Sequence, residues 1–194
     1  MINPFKEVSE FCDLSIDEKV KLPIAIVGAG GIVDGAHLPA YKKANLTVVG
    51  IFDTDPAKAK DVAARHGIGK VYSTLDELIN DPASKVIDIA VPAAAQPEIF
   101  LKVAAAKKHI LAQKPLATTV EKGEELAASA KAHGIVAGVN QQLRFEEGVA
   151  AASHCCATSA PTAHEPHHNP CRFRWCGNAV NKIGQSQYGE CSRT

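Results

Sequence analysis

The residues with the clearest chemical potential are glycines that follow an apolar run near the N-terminus. Residues 23–27 are Pro-Ile-Ala-Ile-Val, and Gly28, Gly30 and Gly31 come next, before helix-compatible residues that begin at Ile32. The pattern predicts a buried strand, a tight turn and the start of a helix. Gly28 can adopt a turn conformation that other residues avoid, and Gly30 has no Cβ to hold a phosphate away from backbone N–H groups. These residues therefore predict an anion site suited to a pyrophosphate.

Position 33 departs from the dinucleotide-binding fingerprint, in which a third glycine lets the helix and strand pack closely. This chain has Val33 there. A Gly-x-Gly turn also occurs in α/β domains as a tight connection that binds no ligand. The assignment therefore depends on the rest of the chain.

An acidic residue ends the second predicted strand. Residues 47–52 are Thr-Val-Val-Gly-Ile-Phe, and Asp53 follows them, 23 residues after Gly30. This spacing is close to the roughly 20 residues that separate a glycine turn from the acid that binds the adenosine ribose. Because a carboxylate there would repel a 2′-phosphate, we expect NAD as the cofactor, with NADP as the alternative. The competing interpretation is a turn or N-cap residue in Asp53-Thr54-Asp55-Pro56.

Strand-like and helix-like segments alternate along the chain. Helices are expected at about 34–43, 56–66, 74–80, 98–108 and 119–133, and further strands at 71–72, 86–91, 109–112 and 135–139. The alternation predicts an α/β fold with a parallel sheet covered on both faces. Six strands after a glycine turn predict a doubly wound Rossmann sheet in the order 3-2-1-4-5-6. Ligands bind at the carboxyl ends of its strands, where Pro92, Lys114 and Asn140 would join Gly28 and Asp53.

The composition argues against nucleic-acid and membrane partners. Lys+Arg and Asp+Glu both number 21, so the formal net charge is zero. We therefore expect no partner that is recognised mainly through its charge, such as DNA or an anionic membrane surface. No apolar run approaches the roughly 20 residues that span a bilayer. The first ten residues carry Lys6, Glu7 and Glu10 where a signal peptide would have an apolar core. We therefore expect a cytoplasmic protein.

Four segments carry a family resemblance over about residues 22–150. They are 27–32 (Val-Gly-Ala-Gly-Gly-Ile) with 37–40 (His-Leu-Pro-Ala) after it, 52–56 (Phe-Asp-Thr-Asp-Pro), 113–116 (Gln-Lys-Pro-Leu) and 138–145 (Gly-Val-Asn-Gln-Gln-Leu-Arg-Phe). Together they resemble the glucose-fructose oxidoreductase / inositol dehydrogenase (Gfo/Idh/MocA) family. The resemblance implies an NAD(P)-binding domain, a sugar or cyclitol substrate, and a separate substrate domain that forms much of the oligomer interface in full-length relatives.

The third segment is the most specific part of this resemblance. In the family a Glu-Lys-Pro triplet ends strand five, and its lysine lies beside the nicotinamide and the substrate hydroxyl. The triplet here is Gln113-Lys114-Pro115, so an amide replaces the carboxylate. The resemblance implies that Lys114 stabilises the developing alkoxide and shares in proton transfer. Without the resemblance, Lys114 would be interpreted as a solvent-facing lysine.

Three further residues are candidates for contacts with the cofactor or substrate: Gln96, Asn140 and Arg144. A structural role is the alternative for each. An S-adenosylmethionine methyltransferase would share the glycine turn, but it usually has an acidic residue where this chain has Val27, and it would not account for residues 113–115. The remaining alternative to an oxidoreductase is a nucleotide-binding module or inactive fragment without turnover.

The last 44 residues differ in character from the rest. They hold five of the six cysteines, four of the eight histidines and the only tryptophan. Their spacing lacks the paired C-x2-C of ordinary zinc sites, so no metal site is assigned, and a disulfide framework conflicts with a cytoplasmic location. We favour a truncated gene or a shifted reading frame near residue 151. The expected organisation is an N-terminal arm (1–22), a Rossmann domain (23–150) and an irregular Cys/His-rich tail (151–194).

Overall fold

A five-stranded parallel sheet forms the centre of the computed structural model, which describes residues 17–145. The strands are β1 (Ile24–Val27), β2 (Val48–Phe52), β3 (Val86–Ile89), β4 (His109–Gln113) and β5 (Ala137–Asn140). Each neighbouring pair is parallel, and the order across the sheet is β2-β1-β3-β4-β5. The chain winds outward from β1 in both directions, which confirms the predicted doubly wound Rossmann sheet.

The strand predicted at residues 71–72 is reduced to a single bridge, so the predicted count of six strands is wrong. Val71 pairs in parallel with Ile51 of β2, which is the outer position that the order 3-2-1-4-5-6 assigns to the third strand. The ring of Tyr72 packs so closely on β2 that a Cβ on Gly50 would lie 2.4 Å from it. Thr74 then caps the next helix, and this leaves no room for a longer strand.

Within residues 17–145, five α-helices connect the strands, and several begin and end at residues with clear capping chemistry. They are α1 (Leu38–Lys43), α2 (Pro56–His66), α3 (Leu75–Asn80), α4 (Gln96–Ala105) and α5 (Val120–Ala132). The Asp55 side chain accepts the N–H groups of Ala57 and Lys58 at the start of α2, and Gly67 ends that helix in a left-handed conformation with φ of +70°. Thr119 caps α5 in the same way as Thr74 caps α3.

The segment after the glycines differs from the continuous helix predicted at 34–43. Residues Val33–His37 form a widened π-helical turn, in which the N–H of Leu38 donates to the carbonyl of Val33, and α1 follows. Val33 itself is fully buried. Pro39 is the second residue of α1 and directly follows the widened turn; because proline has no N–H, it cannot donate to a carbonyl of that turn.

Both faces of β1 are buried, which explains its uninterrupted apolar sequence. Ala25 and Val27 belong to a cluster with Ile87, Phe100 and Leu126 on one side of the sheet. The other two residues of β1, Ile24 and Ile26, belong to a second cluster on the opposite side of the sheet. That cluster includes Val33, Ile51 and Val62. The two clusters bury β1 as an interior strand between β2 and β3, and the loop that follows β1 therefore starts from a rigid base.

The predicted N-terminal arm and tail lie mainly outside the described residues. Within 17–22 there is one short 3₁₀ turn, Glu18–Val20. Between residues 17 and 145, no helix has the length and apolar character needed to cross a membrane. The same stretch holds no group of three or more His, Cys, Asp or Glu side chains placed to bind a metal ion.

Candidate functional site

The glycine loop, residues 28–31, begins where β1 ends and has a conformation that only glycine allows at its first position. Gly28 has φ of +109°, and a Cβ there would lie 2.4 Å from the carbonyl oxygen of Ala90. Its N–H donates to the carbonyl of Phe52 at 2.7 Å. The loop therefore passes between the ends of β2 and β3 with no space for a side chain.

The outer part of the glycine loop is open. Gly30 and Gly31 are exposed, and a Cβ on either would have no neighbour within 4 Å. The carbonyl of Gly30 accepts the N–H groups of Val33 and Asp34 at the start of the widened turn. Ile32, beside these glycines, is 46% exposed. No side chain of the loop obstructs its outer face, so the residues present fit a bound pyrophosphate.

Asp53 stands directly beside the glycine loop. Its Oδ2 accepts the backbone N–H of Ala29 at 2.7 Å, although the residues are 24 positions apart. Its Oδ1 accepts the N–H of Asp55 at 2.8 Å, which makes a tight turn. Asp55, rather than Asp53, caps α2. The carboxylate therefore reaches from the end of β2 to the loop that would hold the phosphates.

Residues 113–116, which begin at the last residue of β4, are called the Lys114 loop. Lys114 is exposed, and the bond between Lys114 and Pro115 is cis. In the described part of the chain, Lys114 Nζ has neither a hydrogen bond nor an ion pair, and the backbone N–H of Lys114 donates to Gln113 Oε1 at 2.8 Å. The loop thus presents its lysine side chain to solvent at the carboxyl edge of the sheet.

Gln96, the first residue of α4, holds the Lys114 loop. Its side chain is fully buried, and its Oε1 accepts the N–H of Gln113 at 3.0 Å. Its Nε2 lies 2.9 to 3.0 Å from the carbonyl oxygens of Gln113, Pro115 and Leu116. The polar atoms of Gln96 are directed to this loop, so the structure gives Gln96 a loop-positioning role, and its predicted contact with the cofactor stays a prediction.

A buried polar cluster that the sequence analysis did not select adjoins this loop. Asp88 lies in the middle of β3 and is fully buried, and His37 is 6% exposed. Asp88 Oδ2 lies 2.7 Å from His37 Nδ1 and accepts the hydroxyl of Tyr41 at 2.8 Å. Burial, and then the Asp88 carboxylate, raise the pKa of Tyr41 well above its usual range, so Tyr41 stays a donor.

The side chains that end β4 and β5 meet the other nitrogen of His37. Gln113 Nε2 and Asn140 Nδ2 each lie 3.1 Å from His37 Nε2. Two signals in the sequence could have pointed to this cluster: an aspartate inside an apolar strand, and His37 and Tyr41 four positions apart on one helical face.

The remaining candidates lie near the same edge of the sheet. Pro92 follows β3, is exposed, and its carbonyl accepts the N–H groups of Ala95 and Gln96 at the start of α4. Arg144 lies in the 3₁₀ turn Gln142–Phe145 that follows β5. The glycine loop, Asp53, Pro92, Lys114 and Asn140 thus all stand at or just after the carboxyl ends of parallel strands, as predicted for a ligand crevice.

Comparisons with known proteins agree with this geometry. Residues 22–141 match the model of the Gfo/Idh/MocA oxidoreductase family, NAD-binding Rossmann fold. The chain is 34% identical over 128 residues to the uncharacterized protein YMR315W of Saccharomyces cerevisiae. The aligned region covers 64% of this chain and 37% of that protein. It is also 32% identical over 163 residues to inositol 2-dehydrogenase of Acidothermus cellulolyticus, and that aligned region covers 81% of this chain and 47% of the relative.

A solved structure gives the same result. Levoglucosan dehydrogenase, in complex with NADH and levoglucosan, superposes with a TM-score of 0.66 at 31% identity, over 72% of this chain and 40% of that one. This chain therefore spans less than half the length of each of the three proteins.

Proposed function

Because this chain belongs to the Gfo/Idh/MocA family and carries its NAD-binding Rossmann domain, we propose that it is the cofactor-binding half of an oxidoreductase. The reaction would transfer a hydride between NAD and a hydroxyl-bearing carbon of a sugar or cyclitol. Relatives named inositol 2-dehydrogenase and levoglucosan dehydrogenase support this substrate class. The observation that carries the proposal is the 2.7 Å contact between Asp53 and the glycine loop, at the edge where the Lys114 loop also lies.

The glycine loop and Asp53 would hold the adenosine half of the cofactor. The open face at Gly30 and Gly31 admits a pyrophosphate to within reach of backbone N–H groups. The Asp53 carboxylate accepts hydrogen bonds, so it suits the two hydroxyls of an adenosine ribose. A 2′-phosphate at the same place would meet a negative charge, and this favours NAD over NADP.

Lys114 would act on the substrate. NAD, when bound, supplies the ring carbon that accepts or donates the hydride. The Lys114 ammonium would stabilise the alkoxide that develops on the substrate and share in the transfer of its hydroxyl proton. Gln96 and Gln113 would keep the lysine backbone in place through the bonds described above. Pro92, Pro115 and Asn140 would line the site around the lysine, and a contact of Arg144 with the cofactor or substrate stays a prediction.

Calorimetry of NAD and NADP binding to the full chain tests the cofactor site. We expect NAD to bind at least about tenfold more tightly than NADP, which corresponds to about 1.4 kcal/mol. Asp53→Asn should weaken NAD binding and reduce the ratio of the NAD affinity to the NADP affinity. Asp55→Asn is the matched control, because it removes the same charge two residues away and asparagine still caps α2. Equal affinity for the two cofactors, or equal effects of the two variants, would contradict the proposal.

A turnover assay separates the oxidoreductase from a nucleotide-binding module. The full chain would be incubated with NAD and a panel of sugars and cyclitols, and the formation of NADH measured by its absorbance. NADH formation supports the proposed reaction, whereas NAD binding without NADH formation with any substrate favours the module. A cytoplasmic location stays a prediction, which cell fractionation would test, and sedimentation would test whether this chain assembles as the resemblance implies for full-length relatives.

A further inference from the structure

Five polar side chains form a cluster next to the Lys114 loop, and binding of the cofactor does not explain it. They are His37, Tyr41, Asp88, Gln113 and Asn140, and they come from the widened turn, α1, β3 and the ends of β4 and β5. Asp88 is fully buried, and His37 nearly so. Because a buried polar group is destabilising unless it is hydrogen-bonded, the donors and acceptors of this cluster are closely constrained.

The orientation of the Gln113 amide is set by its neighbour. The backbone N–H of Lys114 donates to Gln113 Oε1 at 2.8 Å. With its oxygen turned to Lys114, the amide directs Nε2 towards His37 Nε2, 3.1 Å away. An amide NH₂ group only donates. His37 Nε2 must therefore accept this hydrogen bond.

The other side of the ring leads to the same assignment. Asp88 Oδ2 lies 2.7 Å from His37 Nδ1 and also accepts the Tyr41 hydroxyl. A carboxylate oxygen accepts, so His37 Nδ1 is the donor in this pair. Asn140 Nδ2 also lies 3.1 Å from the Nε2 atom of His37, and the two amides share the single lone pair of that atom. The contacts of His37 with Asp88 and Gln113 thus agree on one tautomer, with the ring proton on Nδ1 and a lone pair on Nε2.

We propose that His37 is a positioning residue for Lys114. Asp88 holds its ring in the Nδ1–H tautomer, its Nε2 anchors the Gln113 amide, and the Gln113 oxygen holds the Lys114 backbone N–H. The inference rests on the proposed role of Lys114 in hydride transfer. It assigns a reason for the glutamine at position 113, because a glutamate carboxylate could not donate to Nε2. It also ties the turn after the glycine loop to the ends of β4 and β5 through one side chain.

A long-range ¹H–¹⁵N NMR spectrum of histidine-labelled full chain tests the tautomer. The His37 signals would be assigned by their loss in a His37→Gln variant. We expect the nitrogen shifts of a ring that is protonated on Nδ1 and unprotonated on Nε2. A ring protonated on Nε2, alone or together with Nδ1, would overturn the proposal. The Gln113→Glu variant sharpens the test, because an acceptor at 113 should bring a proton onto Nε2, and an unchanged tautomer there would count against the link.

A pair of conservative variants tests the effect on Lys114. In His37→Gln, an amide oxygen can replace Nε2 as the acceptor for Gln113. In His37→Asn, the shorter amide reaches only the Nδ1 position, and Gln113 Nε2 loses its acceptor. Hydrogen exchange of the Lys114 amide, taken relative to that of Ile26 in β1 to cancel changes in global stability, should be about tenfold faster in His37→Asn. It should stay close to the unsubstituted chain in His37→Gln.

Equal exchange in the two variants would mean that His37 only fills space, and it would overturn the proposal. If neither variant folds, the tautomer of the unsubstituted chain and its response to Gln113→Glu still decide the matter. None of these measurements needs NAD or turnover. A failure of the calorimetry would therefore contradict the proposed function alone, whereas the wrong tautomer would contradict this inference alone.

Discussion

The glycine loop and the Lys114 loop lie at the same edge of the sheet, but they are held in different ways. The glycine loop owes its shape to its own backbone: Gly28 has φ of +109° and passes too close to Ala90 for any side chain. The Lys114 loop is held from outside, by the fully buried Gln96 and by the contact of His37 with Gln113. A loop that binds a phosphate can be specified by a few adjacent residues. The Lys114 loop, which is proposed to present a reactive lysine, has its partners in distant parts of the chain.

The difference extends to the side chains that the two loops present. The glycine loop offers open backbone, with Gly30 and Gly31 free of neighbours within 4 Å of an added Cβ. The Lys114 loop offers the exposed side chains of Lys114 and Pro115, on a backbone that Gln96 and the Gln113 side chain hold by hydrogen bonds. Substitutions in the first loop should therefore act through backbone strain, and substitutions around the second should act through unpaired buried groups.

The largest effect is expected for Gly28→Ala. The new Cβ would lie 2.4 Å from the Ala90 oxygen, at a φ of +109°, so steric overlap and backbone strain should together lower the free energy of unfolding by about 3 kcal/mol or more. Gly30→Ala is the matched control, because its Cβ meets nothing within 4 Å. It should fold with little loss of stability but bind NAD more weakly. Urea unfolding measures the free energy of unfolding, and calorimetry measures the affinity for NAD. A similar loss of stability in both variants would contradict the special role given to the backbone of Gly28.

The next effect is expected for Gln96→Met, which keeps the length of the side chain and removes its polar atoms. The N–H of Gln113 and several loop carbonyls would lose their partner, and we expect a loss of about 2 to 3 kcal/mol in urea unfolding. The control is Glu98→Gln on the same helix, where an exposed ion pair with Lys102 is removed and no measurable change is expected. If Gln96→Met behaves like this control, the Lys114 loop does not depend on Gln96.

The smallest effect on stability is expected for Lys114→Met. The side chain is exposed, so the free energy of unfolding should change by less than about 0.5 kcal/mol. Turnover, once a substrate is found, should fall by about 10² or more, because the cation that stabilises the alkoxide is removed. Lys60→Met, at an exposed position of α2, should leave both quantities unchanged. A large loss of stability in Lys114→Met would show that the lysine is structural.

Much of the fold could be predicted because its signals are local. The apolar run at 24–27, the proline at the start of α2 with Gly67 at its end, and the N-cap at Thr74 each depend on neighbours within a few residues. The strand at 71–72 could not be judged in this way. Its length depends on the packing of Tyr72 against Gly50 and on the helix cap that follows, and the first of these is a contact between distant segments.

The sequence by itself determined the parallel sheet, the glycine loop and the acid at the end of β2. The order of strand, turn and helix, and the spacing from the glycines to the acid, are both visible in the linear sequence. Only the tertiary structure decided what holds the Lys114 loop. Gln96 is 17 residues from Gln113, and His37 is 51 residues from Asp88 and 103 from Asn140. Their roles come from burial at one edge of the sheet, where polar groups take their partners from the side chains that the fold brings there.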